Sequence, residues 1–103
     1  MAGAEGRRRG SDPSILVLIS LAAGPRHGHA MLRDIAEFSQ SHLGPGTLYG
    51  AIERLEADGL IEPLPSANRR TPYRLTRAGE DYLGRRAREL ERLVGVALKR
   101  VTT

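Results

Sequence analysis

The stretch Gly44 to Asp58, Gly-Pro-Gly-Thr-Leu-Tyr-Gly-Ala-Ile-Glu-Arg-Leu-Glu-Ala-Asp, is bounded so sharply that a helix is the natural way to fold it. Pro45 suits the first turn, where its missing N–H would have no partner anyway. Gly59 suits the position just past the end, which commonly needs a positive φ. Leu48, Ile52 and Leu55 recur at spacings of four and three, so one face is apolar. Gly46, Thr47, Gly50 and Arg54 fall on the other side, small or hydrogen-bonding groups concentrated near the start. Such a helix can bury one face and press its N-terminal turn into a nucleic-acid groove. An ordinary core helix fits the same pattern, and the neighbouring segments must separate the two.

Upstream, Asp12 caps a helix opened by Pro13 and continued by Ile15, Leu16, Leu18, Ile19 and Leu21. It is apolar nearly all round and calls for burial on several sides. Gly24-Pro25 ends it. A second helix follows from Gly28, with Met31, Leu32, Ile35 and Phe38 expected on its core face and Arg33, Asp34 and Glu37 outward. Short turns join these helices to the one from Pro45, which is a helix-turn-helix layout. Beyond Gly59, Leu60 to Leu64 is partly β-like, Ser66 to Thr71 is polar and basic, and Tyr73 to Leu75 alternates again. We read a two-stranded hairpin with its tip near Ala67 to Arg70. Pro63 and Pro65 cannot donate to a ladder, so its first strand must be an edge or be cut short. A hairpin placed after a helix-turn-helix is a wing, and Asn68, Arg69 and Arg70 at its tip suit phosphate or minor-groove contact.

Thr76 caps a last helix from Arg77 to about Val101. Leu83, Ala87, Leu90, Val94, Ala97 and Val101 step by four and three in alternation, a heptad seam. A chain of 103 residues has little surface to cover all of it, so the seam predicts homodimerisation. Its alanines and Gly95 make it shallow, which calls for support from the first helix. The expected organisation is a basic N-terminal arm over residues 1–11, a winged helix-turn-helix domain over 12–76 and a dimerisation helix over 77–103. The arm carries Arg7, Arg8 and Arg9, and either reaches DNA or is simply solvated.

Composition removes several other classes. A formal net charge of +4 favours an anionic partner. With no cysteine there is neither a disulfide framework nor a thiolate metal site. No Trp and few aromatics argue against single-strand stacking platforms. The apolar run from Ile15 to Ala23 is too short to span a bilayer, and no cleavage site follows it, so a cytoplasmic protein is expected. His27 and His29 are two residues apart, which on a helix would face them away from each other. With His42 they make a poor zinc set, and no metal or other cofactor is expected. No nucleophile–base pair, phosphate loop or carboxylate cluster points to an enzyme.

The segments Ile15 to Ala23, Gly24-Pro25-Arg26-His27-Gly28-His29, Gly44 to Tyr49, Arg54 to Ile61 and Tyr73 to Gly79 resemble, in order, the motifs of the PadR family of bacterial transcriptional regulators. The resemblance covers about Ser14 to Tyr82 and implies a winged helix-turn-helix, mainly α with a small β wing. It further implies a dimer formed by the C-terminal helix and binding to a palindromic operator, usually as a repressor. The length and single C-terminal helix resemble the short subfamily. By position, the helix from Pro45 would be the recognition helix, with Thr47 and Tyr49 on DNA, and Ala67 to Thr71 would be the wing tip. The sequence departs from the family pattern at Gly50, where proline is common, at Pro63 and Pro65, and at His29, where tyrosine is frequent. Release by a small-molecule inducer is a further family trait. The tryptophan that helps some members bind planar compounds has no counterpart here.

These residues define an expected DNA surface of Gly46, Thr47, Tyr49, Gly50, Arg54, Asn68, Arg69 and Arg70. Double-stranded DNA and a second copy of the chain are the expected partners. Tyr49 also fits simple packing against the wing, and Arg70 a pairing with a carboxylate. Glu53 shares the face of the recognition helix and is expected to avoid the phosphate backbone. A winged helix that binds only protein is the competing function, because the fold serves either use.

Overall fold

The computed structural model describes residues 12–103, so the basic arm at 1–11 lies outside the described residues. The elements run α1 (Pro13–Ala22), β1 (Arg26–His27), α2 (Gly28–Ser39), α3 (Pro45–Ala57), β2 (Ile61–Pro63), β3 (Pro72–Leu75) and α4 (Arg77–Thr102). Together they form a winged helix-turn-helix, mainly helical, extended by one long C-terminal helix.

The core is organised around α1. The Asp12 carboxylate accepts from the Ser14 N–H at 3.0 Å, and Pro13 opens the helix, the pattern its sequence implied. Ile15, Leu16, Val17, Leu18, Ser20 and Leu21 are all buried, which requires cover on several sides. α2, α3, β3 and α4 supply it. Met31 and Ile35 of α2 close one side, and Leu48, Ala51, Ile52 and Leu55 of α3 close another.

On α2 the outcome departs from the periodicity in two places. Phe38, expected in the core, is 43% exposed near the helix end. Asp34, expected outward, is half-buried. It accepts from the buried Ser20 hydroxyl at 2.8 Å and pairs with Arg26 at 3.4 Å. The physical reason is Ser20: a hydroxyl in an apolar helix face needs a partner, and Asp34 is within reach.

The sheet is three-stranded and antiparallel, in the order β1-β3-β2. β2 pairs Ile61 with Leu75 and Pro63 with Tyr73, and it stops at Pro63 as an edge strand. The Leu64 N–H donates to the Pro72 carbonyl at 2.8 Å and closes the pairing. The hairpin of β2 and β3 is the part of this sheet that the sequence predicts. β1 is the addition, two residues that pair Arg26 with Tyr73 and His27 with Pro72. Two residues carry no alternation to read.

Where α3 ends, φ at Gly59 is +76°, the left-handed value expected of it. The next residues are fastened to the start of α4. The Thr76 N–H donates to Leu60 O at 3.0 Å, and the Thr76 hydroxyl donates to Gly59 O at 2.6 Å. That hydroxyl also accepts from the Gly79 N–H at 3.0 Å, capping α4. α4 has 26 residues, about 39 Å of helix, within a molecule 55 Å long. Tyr82 and Leu83 pack on the core, and from Ala87 onward every residue is exposed.

Candidate nucleic-acid interface

α3 begins without a side-chain cap, since its N-cap is Gly44. Its first N–H groups therefore have no side-chain acceptor, and Gly46 and Thr47 stand exposed beside them. Tyr49 is 47% exposed and lies over Gly28, the first residue of α2. A Cβ on Gly28 would run into the phenol, with its Cζ only 2.7 Å away. Glycine at 28 thus lets the Tyr49 ring rest on the α2 backbone.

The same ring forms one wall of a groove of about 350 Å³. His27 and His29 form the wall at the start of α2, and Arg69, Arg70 and Thr71 form the wall on the wing. Tyr73 of β3 completes the lining. Loss of water contact, then the charges of Glu56 and Glu53 on α3, raise the Tyr73 phenol above its usual value.

At the wing tip the Asn68 carbonyl oxygen accepts from the Ser66 hydroxyl and from the Arg70 N–H, both at 3.0 Å. The Asn68 side chain therefore shapes the turn that aims Arg70. Arg70 Nη1 stands 3.5 Å from His27 Nε2, and no carboxylate pairs with Arg70 among the described residues.

His27 and His29 stack, with ring centroids 6.4 Å apart and planes 22° from parallel. This corrects the expectation that they face apart. His27 precedes the helix in extended backbone, so helical spacing does not apply to it. Its Nδ1 accepts from the Ala30 N–H at 3.3 Å and caps α2. Partial burial, then Arg70, His29 and Arg33, lower its pKa below the usual histidine value.

Of the residues singled out from sequence, Tyr49, Arg69 and Arg70 meet in this groove. Gly46 and Thr47 lie on the exposed first turn of α3 beyond it. Arg54 does not join them. Five residues on from Tyr49 is about 140° round the helix. There it lines a separate crevice of about 210 Å³ with Asp12, Asp58, Tyr82 and Arg86. Gly50 sits under Arg54, with Nη1 3.6 Å from where a Cβ would be. His27, Gly28, His29 and Tyr73 are groove residues that the sequence did not place on the expected DNA surface. A histidine directly before the first helical residue was a signal for a cap, and Tyr73 needed the sheet register.

On α4 the heptad positions divide. Leu83 is half-buried on its own core, whereas Leu90, Val94 and Val101 are exposed, Val101 to 79%. Ala87 and Ala97 are exposed on the same side, and Leu93 and Leu98 flank it at 57% each.

The model of the transcriptional regulator PadR-like family matches residues 15–85. A protein of *Streptomyces fradiae* described only as an uncharacterized 37.1 kDa protein in transposon TN4556 is 47% identical over 87 residues, 84% of this chain. The chain spans about a quarter of that relative, 25% of its length. Among solved structures, a PadR family transcription regulator from *Clostridium difficile* superposes with a TM-score of 0.78 at 28% identity, covering 86% of this chain and 97% of that one. A transcriptional regulator from *Clostridium thermocellum* superposes at 0.75 with 29% identity, covering 84% and 87%. The family match spans most of the chain, from the core of α1 into the first turns of α4, and this chain belongs to the PadR-like family of transcriptional regulators.

Proposed function

We propose that the protein binds double-stranded DNA as a homodimer, with α3 entering the major groove and the wing following the adjacent backbone, and that it represses transcription from a palindromic operator. The observation that carries this reading is the groove between α3, the start of α2 and the wing. It gathers Tyr49, Arg69, Arg70 and two histidines beside the uncapped first turn of α3. Donors dominate its walls, as a phosphate backbone requires. Gly46 and Thr47 offer backbone and hydroxyl donors at the same end of the helix. Arg54 lies apart from this groove and adds charge to the neighbouring flank of α3.

The exposed apolar side of α4 supports the dimer, because Leu90, Leu93, Val94, Leu98 and Val101 form a water-facing stripe that a second copy would cover. Two α3 helices related by a two-fold axis would then enter successive major grooves about 34 Å apart. A small-molecule inducer would act by changing that spacing.

Fluorescence anisotropy with a 24-base-pair duplex at increasing NaCl tests the reading. Each phosphate neutralised adds about −0.9 to the slope of log K against log salt. A steep negative slope is expected. An affinity flat in salt would instead favour a winged helix that recognises protein.

A further inference from the structure

The cap on α2 fixes the tautomer of His27. Nδ1 accepts from the Ala30 N–H, so in the neutral ring the proton sits on Nε2. Nε2 is the atom that stands 3.5 Å from Arg70 Nη1. A guanidinium has no acceptor, so two donors converge with nothing between them to receive either hydrogen. Among the described residues no carboxylate pairs with Arg70. Thr71 and the Tyr49 phenol border the same space, and neither brings a negative charge. His27 lies on α2's edge of the groove and Arg70 on the wing's, so an acceptor bridging them would span the groove mouth.

We infer that His27 Nε2–H and the Arg70 guanidinium form a two-donor clamp for one phosphate oxygen of the DNA backbone, with Asn68 as a positioning residue that aims Arg70. This rests on the DNA-binding reading above and adds to it a contact residue, His27, outside both α3 and the wing. Hydrogen bonds to a charged oxygen are stronger than neutral ones, and an oxygen held by both donors ties Arg70 at the wing tip to His27, just beyond the point where β1 and β3 already pair His27 with Pro72. The clamp therefore closes only on a backbone that lies along the groove mouth.

Replacing His27 by Asn separates the two duties of the ring. Asn carries an acceptor where Nδ1 sits, so the cap survives. It has nothing at the position of Nε2. The experiment is a double-mutant cycle of His27→Asn and Arg70→Ala, read by anisotropy with the same 24-base-pair duplex at fixed salt. Thermal midpoints of all four proteins serve as the control. In the Arg70 background, His27→Asn is expected to weaken binding about tenfold, the usual loss for a hydrogen bond to a charged group. In the Arg70→Ala background the same change is expected to cost less than about twofold, because both donors serve one phosphate. Equal losses in the two backgrounds, or no loss from His27→Asn, would overturn the clamp while leaving DNA binding intact. Wild-type protein that binds no duplex would overturn both.

Discussion

The imidazole at position 27 holds α2 through one nitrogen and faces the wing with the other. Protonation would destroy the acceptor on Nδ1, and the cations around it oppose the added charge. Burial, Arg70, His29 and Arg33 all depress its pKa in the folded state. The unfolded chain protonates this histidine near the ordinary value of about 6.5, before the folded chain does. His27 therefore contributes stability above about pH 6.5 that is lost as the pH falls toward the depressed value. Between pH 7.5 and 5.5 the thermal midpoint of the wild-type protein should fall further than that of His27→Asn, whose cap does not titrate. Parallel declines would mean that the cap does not depend on a neutral ring. Spacing alone hides this, because His27 lies before the helix in extended backbone and helical periodicity does not govern it. Asp34 shows a related limit. Periodicity assigns a carboxylate outward, and only the buried Ser20 hydroxyl behind it explains its partial burial.

At the scale of elements, the sequence was most informative where a chemical constraint left one answer. Pro45 and Gly59 bracket α3, Asp12 and Pro13 open α1, and Thr76 caps α4. Pro63 is tolerated because β2 is an edge strand, where its missing donor lies on the open side, and the ladder runs on to the Leu64 N–H. β1 stayed hidden because its pairing depends on β3 and not on its own two residues. A small-residue pattern likewise says little about the face of α3 that carries Arg54. Which neighbour it meets depends on how α1 and α4 pack, and that needed the tertiary structure. One contact between elements was equally hidden. Gly79 is buried in the first turn of α4, and a Cβ there would strike the Leu60 carbonyl oxygen just past the end of α3. Because the obstacle is hydrogen-bonded backbone, it cannot swing aside. Gly79→Ala should lose about 1–3 kcal/mol, the usual range for overpacking, measured as a lower urea midpoint. An unchanged midpoint would show that the α3–α4 connection yields easily.

For the molecule as a whole, the distribution of apolar surface matters most. The core is closed by α1 to α3, the sheet and the first turns of α4, while the rest of α4 stands clear of it with an apolar stripe in water. Placing a charge in that stripe leaves the core untouched, so Val94→Glu should yield a folded monomer by sedimentation at micromolar concentration. It should also lose most duplex affinity, since one half-site contact replaces two. A dimer that survives the change would move the interface off this stripe. The fastening at Thr76 then acquires a further meaning. Gly59 and Leu60, the tail of α3, are tied by hydrogen bonds to the first turn of α4, with Gly79 pressed against them. In the proposed pair, each α4 acts as the handle of a caliper and each α3 as its jaw, with Thr76 as the rivet. The crossing angle of the two handles would then set the opening of the jaws, so a few degrees of rotation far from the DNA would decide whether both reach their grooves.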